Sequence, residues 1–289
     1  MYFTAAIDLF VHDLEAAKKS PATVRGYRED LHHFSHQLPR DTVLAITPET
    51  ITSALHAWSA RGLGRNTIFR RQTAIRAFCR WGRKQRLWLE NPADLVDGVH
   101  QEECLPRPFE PAEAERIWAL ELPDVEDLAR ALLMFTGLRV GSICALNVGG
   151  VNADMLQLRV VVKRGRTQAV EVHPILATKL AAHLLTRTGA KAYDPLLCYP
   201  SGKRLNRRTI QKWTARWGAT CEPPVPNCTC HRFRHLFGST LLDQTSNLRT
   251  VQEALGHASI RSTQQYTRIR SSQVREAILK LPWRTKESQ

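Results

Sequence analysis

The stretch Cys230–Arg268, CHRFRHLFGSTLLDQTSNLRTVQEALGHASIRSTQQYTR, decides how the rest of the chain is read. It sets His231 and Arg234 three residues apart, then Leu255-Gly256-His257, and nine residues after His257 a lone Tyr266. Cutting a phosphodiester without a metal requires a nucleophile, cations on the non-bridging oxygens and a proton donor for the leaving oxygen. The residues named offer one nucleophile, two imidazoles and one guanidinium of fixed charge.

Outward from this segment, the composition bounds the partner. The chain has 289 residues, enough for two modest domains, and its 43% apolar and 24% charged content is that of a soluble globular protein. A net charge of +14 points to a polyanion, nucleic acid before an acidic membrane surface. The N-terminus MYFTAAIDLFVHDLEA has no basic leader and meets Asp8 and Asp13 early, and runs such as Ala131 to Phe135 are too short to span a bilayer. A cytoplasmic protein with no membrane partner is expected. The seven cysteines (79, 104, 144, 198, 221, 228, 230) are irregularly spaced and read as reduced packing residues. Cys221, Cys228, Cys230 and His231 do not follow an established zinc spacing, so no metal and no cofactor is expected.

Helical periodicity predicts a helix over 3–18 with Phe3, Ile7, Phe10, Leu14 and Ala17 on one face. A second starts at Ser20-Pro21 and carries Val24, Tyr27, Leu31 and Phe34; a third starts after Thr47-Pro48 and carries Ile51, Leu55 and Trp58. Between Arg61 and Leu89 stand nine basic residues and no acid, interleaved with Ile68, Ile75, Phe78 and Cys79. A solvated face usually mixes both signs. Arg65, Arg70, Arg71, Arg76, Arg80, Arg83 and Lys84 are therefore expected to contact DNA, as are Lys203, Arg204, Arg207 and Arg208 in a second acid-free segment. Asn91-Pro92 closes the helical block, giving an N-terminal domain at 1–100, a linker at 101–109 and a second domain at 110–289. In the latter, Leu156, Leu158, Val160 and Val162 alternate, a basic turn Lys163-Arg164-Gly165-Arg166 follows, and Val170 and Val172 return. From Pro174 helical patterns are expected to the end.

Tyr266 as nucleophile has a phenol with an ordinary pKa of ~10 and needs a base or electropositive surroundings. Attack on phosphorus builds charge on two non-bridging oxygens, which arginine holds better than lysine because its planar fork can be bidentate. Arg234 and Arg139, the latter in the turn Thr136-Gly137-Leu138-Arg139, are the candidate clamps. Lys163 at the hairpin tip is the candidate donor to the 5′-oxygen, and His231 and His257 can bond phosphate oxygens or help accept the tyrosine proton. Taken singly, each of these residues is as well explained by packing or capping; their order and company carry the reading.

That company resembles the tyrosine recombinase (phage integrase, Xer/Cre) family. The blocks are TGLRVGSICALNV (136–148), VVKRGR (161–166), HRFRHLFGSTLL (231–242) and LGHASIRSTQQYTR (255–268), with SPATVRGYREDLHHF (20–34) and TIFRRQTAIRAFCRWGRKQRLWLENPA (67–93) similar to its core-binding domain. The resemblance implies a mainly α fold: a helical, SAM-like N-terminal core-binding domain and an α-rich catalytic domain with a small antiparallel sheet, clamped in a C shape on DNA. It implies Arg139, Lys163, His231, Arg234, His257 and Tyr266 as the catalytic set. Ser142 stands where the family commonly has an acid, Arg164 is the rival for the lysine position, and no arm-binding domain is expected before residue 1.

The activity implied is site-specific recombination through a covalent 3′-phosphotyrosyl intermediate, by a homotetramer on two paired sites of double-stranded DNA, with an accessory DNA-bending protein or partner recombinase as a further partner. The amphipathic tail SQVREAILKLPW (272–283) is expected to exchange between protomers. Two readings stand beside this one: a type IB topoisomerase-like activity, and a DNA-binding regulator that keeps the fold without the chemistry.

Overall fold

Two capped prolines set out the N-terminal half. The hydroxyls of Ser20 and Thr47 accept hydrogen bonds from the backbone N–H groups of Thr23 and Thr50, and Pro21 and Pro48 follow in the first turn, where a missing N–H costs no helical bond. They start α2 (Pro21–Ser35) and α3 (Pro48–Ala60). The computed structural model describes residues 1–102, 107–152, 157–161 and 167–256. The chain divides into two compact units, Met1–Cys104 and Leu105–Gln289.

In the first unit α1 (Phe3–Ala16) and α4 (Arg65–Lys84) complete the bundle. α1 ends short of the expected Lys18, because Lys18 takes a left-handed conformation (φ 53°) that turns the chain toward Ser20. Ala17 therefore falls outside the helix and is exposed, while Ala6 and Val11 join Phe3, Ile7 and Phe10 in the core. The core is aromatic. Phe78 meets the rings of Phe3, Phe10, Trp81 and Trp88 at centroid separations of 5.1, 5.6, 5.4 and 6.1 Å. Trp88 reaches this cluster over Gly82, where a Cβ would stand 2.1 Å from the indole.

In the second unit α5 (Pro111–Ala119) leads to α6 (Asp124–Thr136), whose Leu128, Ala129, Ala131, Leu132 and Leu133 are all buried. α6 is the central helix, packed by α8 (Pro174–Thr186) and α10 (Cys230–Thr245). α7 (Val140–Ala145), α9 (Arg207–Thr220) and α11 (Leu248–Leu255) surround them. β1 (Gln157–Val161) and β2 (Thr167–Glu171) form a two-stranded antiparallel sheet with Leu158 opposite Val170 and Val160 opposite Gln168. Leu158, Val160 and Val170 are buried as their alternation predicts; Leu156 and Val162 lie outside the described residues. The architecture is mainly helical with one small antiparallel sheet.

The expectation of helix from Pro174 onward fails between α8 and α9. Gly189, Pro195, Pro200 and Gly202 interrupt any helical register, and the segment folds back through bridges of Asn147 with Pro195 and Cys198 with Arg204. Its apolar residues Leu196, Leu197 and Leu205 are buried all the same. Among the described residues no helix is long and apolar enough to cross a membrane.

Cys79, Cys144, Cys221, Cys228 and Cys230 are free and buried. Burial pushes the Cys79 and Cys228 thiols up to about 12, so they remain protonated and act as small packing groups. Phe78→Ala removes the ring on which four other aromatics converge and should cost the first unit about 3–5 kcal/mol. Denaturant unfolding of the full chain, followed by tryptophan fluorescence, measures the loss.

Candidate active site

The orientation of α10 is set before any catalytic group is considered. Thr229 caps it, accepting from the Arg232 N–H. Phe233 is fully buried, edge-on to Phe109 and Trp217 at 4.8 and 6.3 Å. Arg232 holds the neighbouring direction: its guanidinium lies 4.1 Å over the Phe109 ring, donates to Glu113 at 2.6 Å, and donates to the carbonyls of Arg107, Pro108 and Pro226. With those two side chains fastened, His231, Arg234 and His235, spaced i, i+3 and i+4, share a third direction.

Arg234 is 4% exposed. Its Nη1 donates to the Gly137 carbonyl at 2.6 Å and its Nη2 to the Leu255 carbonyl at 2.8 Å. Gly137 is the left-handed cap that ends α6, and Leu255 is the last residue of α11, which ends in another left-handed glycine, Gly256. Carbonyls at helix C-termini lack intrahelical partners and carry partial negative charge. Two such ends therefore grip one cation. These two acceptors are neutral, so these two bonds do not cancel its charge. The approach is close: a Cβ at residue 137 would lie 2.4 Å from the Phe237 ring and 2.8 Å from Leu255. Gly137 thus needs both its positive φ and its missing side chain.

Arg139 leaves the same turn two residues later, exposed at the N-cap of α7. His231 is an exposed residue, yet partial desolvation of its imidazole, and then Arg234 and Arg139 close by, hold it below its ordinary pKa. These three sequence-predicted residues are thus brought together. Ser142, in the first turn of α7, donates its N–H to the Arg139 carbonyl at 2.7 Å. Lys163, His257 and Tyr266 lie outside the described residues.

One member was missed. His235 meets His231 edge-on with centroids 5.2 Å apart, and its pKa is pushed down to about 4 by burial, then by His231 and Arg234. Its spacing of four from His231 was the available signal.

The basic residues separate into two groups. Arg65, Arg70, Arg80, Arg83, Lys84, Lys203, Arg207 and Arg208 are exposed. Arg70 also pairs at 2.8 Å with the buried Asp30. Arg71, Arg76 and Arg204 are held by the chain itself. Arg71 stacks 4.8 Å over Trp58 beside Asp30, Arg76 donates to the Val96 carbonyl at 2.7 Å, and Arg204 donates to the carbonyls of Cys144 and Leu146 and to Asn147.

The His235 environment sets a pH dependence. Its unfolded pKa is near 6.5 and its folded value about 4, so the unfolded chain binds the extra proton between those values. The contribution is complete above pH 6.5 and is lost as pH falls toward 4. Urea unfolding across that interval should show stability falling with acidification, with a shallower fall in His235→Asn.

Residues 112–273 match the Phage integrase family, and residues 7–86 match the Phage integrase N-terminal SAM-like domain. The tyrosine recombinase XerC of Corynebacterium efficiens is 31% identical over 270 residues, covering 90% of this chain and 84% of the relative. Among solved structures, the XerH site-specific recombinase bound to palindromic difH substrate is similar with a TM-score of 0.75 at 20% identity, over 88% of this chain and 78% of that one. A lambda integrase tetramer bound to a Holliday junction is similar with a TM-score of 0.76 at 17% identity, over 92% of this chain and 77% of that one. With a SAM-like domain ahead of the matched segment, and Arg139, His231 and Arg234 gathered at the ends of α6, α10 and α11, the chain belongs to the phage integrase family, the tyrosine recombinases.

Proposed function

We propose that this protein is a site-specific DNA recombinase that cuts and rejoins strands through a covalent 3′-phosphotyrosyl intermediate. The observation that carries the reading is the Arg234 guanidinium fixed between the Gly137 and Leu255 carbonyls, with Arg139 and His231 beside it. A cation fixed before the substrate arrives is the arrangement that stabilises charge developing on phosphoryl oxygens.

In this reading the Tyr266 phenol loses its proton and its oxygen attacks phosphorus. Arg139 and Arg234 hold the two non-bridging oxygens of the pentacoordinate state. Partial desolvation and two nearby cations oppose protonation of His231, which favours the neutral ring that accepts a hydrogen bond or a proton. His257 assists on the phosphate, and Lys163, with Arg164 as its neighbour and rival, protonates the departing 5′-oxygen. The phosphotyrosyl bond conserves the energy of the broken linkage, so a 5′-hydroxyl of another strand can attack it and reseal the DNA.

The N-terminal unit, matched to a SAM-like domain, is the core-binding module, and its exposed Arg65, Arg80, Arg83 and Lys84 contact the DNA backbone. The similar lambda integrase was solved as a tetramer on a Holliday junction, which supports a homotetramer on two paired sites here. The tail 272–289 exchanges between protomers in that assembly. An accessory DNA-bending protein or a partner recombinase would bias the direction of exchange.

The test is a suicide duplex nicked near the cleavage position, bearing a site selected from random DNA, incubated with the protein in EDTA. A covalent band should form with the wild type and be absent with Tyr266→Phe. Arg234→Lys keeps the charge but not the two-pronged fork, and should slow adduct formation by on the order of 10²–10³ with DNA affinity retained. DNA that is bound but never yields an adduct would defeat the recombinase reading. Deleting 272–289 should abolish assembly on paired sites while single-site binding persists; normal assembly would remove the exchange role of the tail.

A further inference from the structure

Two arginines three residues apart meet α7 in opposite ways. Arg204 bonds the chain: its Nη1 donates to the carbonyls of Cys144 and Leu146, and its Nη2 donates to Asn147. Arg207, the first residue of α9, reaches the other end of α7. Its Nε, Nη2 and Cζ lie 2.6, 2.7 and 2.8 Å from where a Cβ on Gly141 would stand. The guanidinium therefore occupies the space that a side chain at 141 would fill, and glycine is what gives it that seat.

Nothing at that seat neutralises the charge. Val140–Ala145 carries no charged side chain. Among the described residues, neither Arg207 nor Arg139, two positions before Gly141, has a hydrogen bond or an ion pair from its side chain, and both residues are exposed. A second observation sets Arg207 beside the site. Burial holds the Cys144 thiol above its ordinary pKa; Arg207 is the next influence and opposes the shift, and Cys230, the residue before His231, adds to it. Arg207 thus borders the group formed by Arg139, His231 and Arg234.

We propose that Arg207, seated on Gly141, is a phosphate-binding residue of the active site: it takes the backbone phosphate that adjoins the scissile one on the same DNA strand. The inference rests on the recombinase reading and deepens it. A guanidinium is a planar fork of donors, and donors that the chain leaves unused match the two non-bridging oxygens of a diester. Like charges gathered in one place repel one another in the free protein, and a polyanion relieves that repulsion on binding. Two guanidinium groups this near in the fold call for two anions in succession. A DNA strand supplies them, one phosphate for about every 3.4 Å of helix axis.

Arg207 makes and breaks no covalent bond. Its share is affinity and strand register: with the adjoining phosphate held, the scissile phosphorus has less room to shift past Arg139 and Arg234. Misplacement of a reacting group by about an ångström can cost on the order of 100-fold. An arginine that only lends positive charge to a surface has no preferred phosphate, so neutralising single phosphates separates the two roles.

The experiment uses the full-length protein and the nicked duplex, in which either phosphate flanking the scissile one is replaced by a neutral methylphosphonate. For the wild type, one of the two replacements should weaken binding roughly tenfold and slow adduct formation at saturating DNA roughly tenfold. Arg207→Gln should show those losses on unmodified DNA, lower the salt dependence of binding by about 0.9 in the log–log slope, and lose nothing further to that methylphosphonate. Gly141→Ala, whose Cβ claims the space of the guanidinium, should weaken the wild type and add nothing to Arg207→Gln. Arg208→Gln removes an equal charge one residue away and should leave the methylphosphonate penalty intact. The inference is overturned by a wild type indifferent to both replacements, by an Arg207→Gln that still suffers the full penalty, by Gly141→Ala and Arg207→Gln acting additively, or by an Arg208→Gln that abolishes the penalty equally. If the wild type binds the unmodified duplex but forms no adduct, the recombinase reading itself fails; if the adduct forms and Arg207→Gln matches the wild type, only the phosphate role falls.

Discussion

The second unit depends on a buried cation held by two helix ends. Desolvating a guanidinium is costly unless its N–H groups are bonded, and a carboxylate partner would meet that need at the expense of the positive field. The carbonyls of Gly137 and Leu255 bond the Arg234 guanidinium with the partial charges of α6 and α11. Placement and charge are thereby separated. The two helix ends place Arg234, and these bonds leave its charge to act on the neighbouring imidazole. The same bonds tie α10 to two helices distant in sequence, so the site and the packing of the unit are one structure.

The first unit shows the opposite use of the same residue type. Arg71 and Arg76 lie on α4 among exposed arginines, yet one stacks on Trp58 and the other closes onto the Val96 carbonyl, beside Gln72, which bonds Asp97 and Val99. These bonds fasten the chain that follows α4 along its flank. Asp30, buried between α2 and α4, has its carboxyl pulled upward by burial and downward by Arg70 and Arg71. It aligns the first of the outward-facing arginines from behind. A run of like charge is thus partly fastener and partly exposed surface.

How much of this was legible follows from the range of each interaction. Ser20-Pro21 and Thr47-Pro48 announced two helices because capping is settled within four residues. The hairpin announced itself through alternation at Leu158, Val160 and Val170. Arg139, His231 and Arg234 were found through motif spacing, which says which groups cooperate but not what holds them. The grip on Arg234 spans 97 and 21 residues of sequence, and nothing near Gly137 or Leu255 marks their carbonyls as acceptors. The inward turn of Arg204 was illegible for the same reason, since an arginine reads alike whether it faces solvent or a carbonyl. The segment between α8 and α9 departs from helix because Gly189, Pro195, Pro200 and Gly202 interrupt it, although Leu196, Leu197 and Leu205 are buried.

The α11 helix attaches differently from the rest of its unit. Val251 and Leu255 pack with Phe237, Leu241 and Leu242 in a patch of their own, separate from the large core that holds α6 and the hairpin strands. Local unfolding follows the number of buried apolar groups and protected bonds that must be released. Among the described residues, lifting α11 releases that small patch, the Leu255 bond to Arg234 and the Glu253 bond to Gln168, a smaller set than unfolding the unit releases. The candidate site is accordingly built on two packing clusters: α10 is anchored in the large core through Cys230 and Phe233, and α11 in the smaller patch, whose release is the smaller cooperative step.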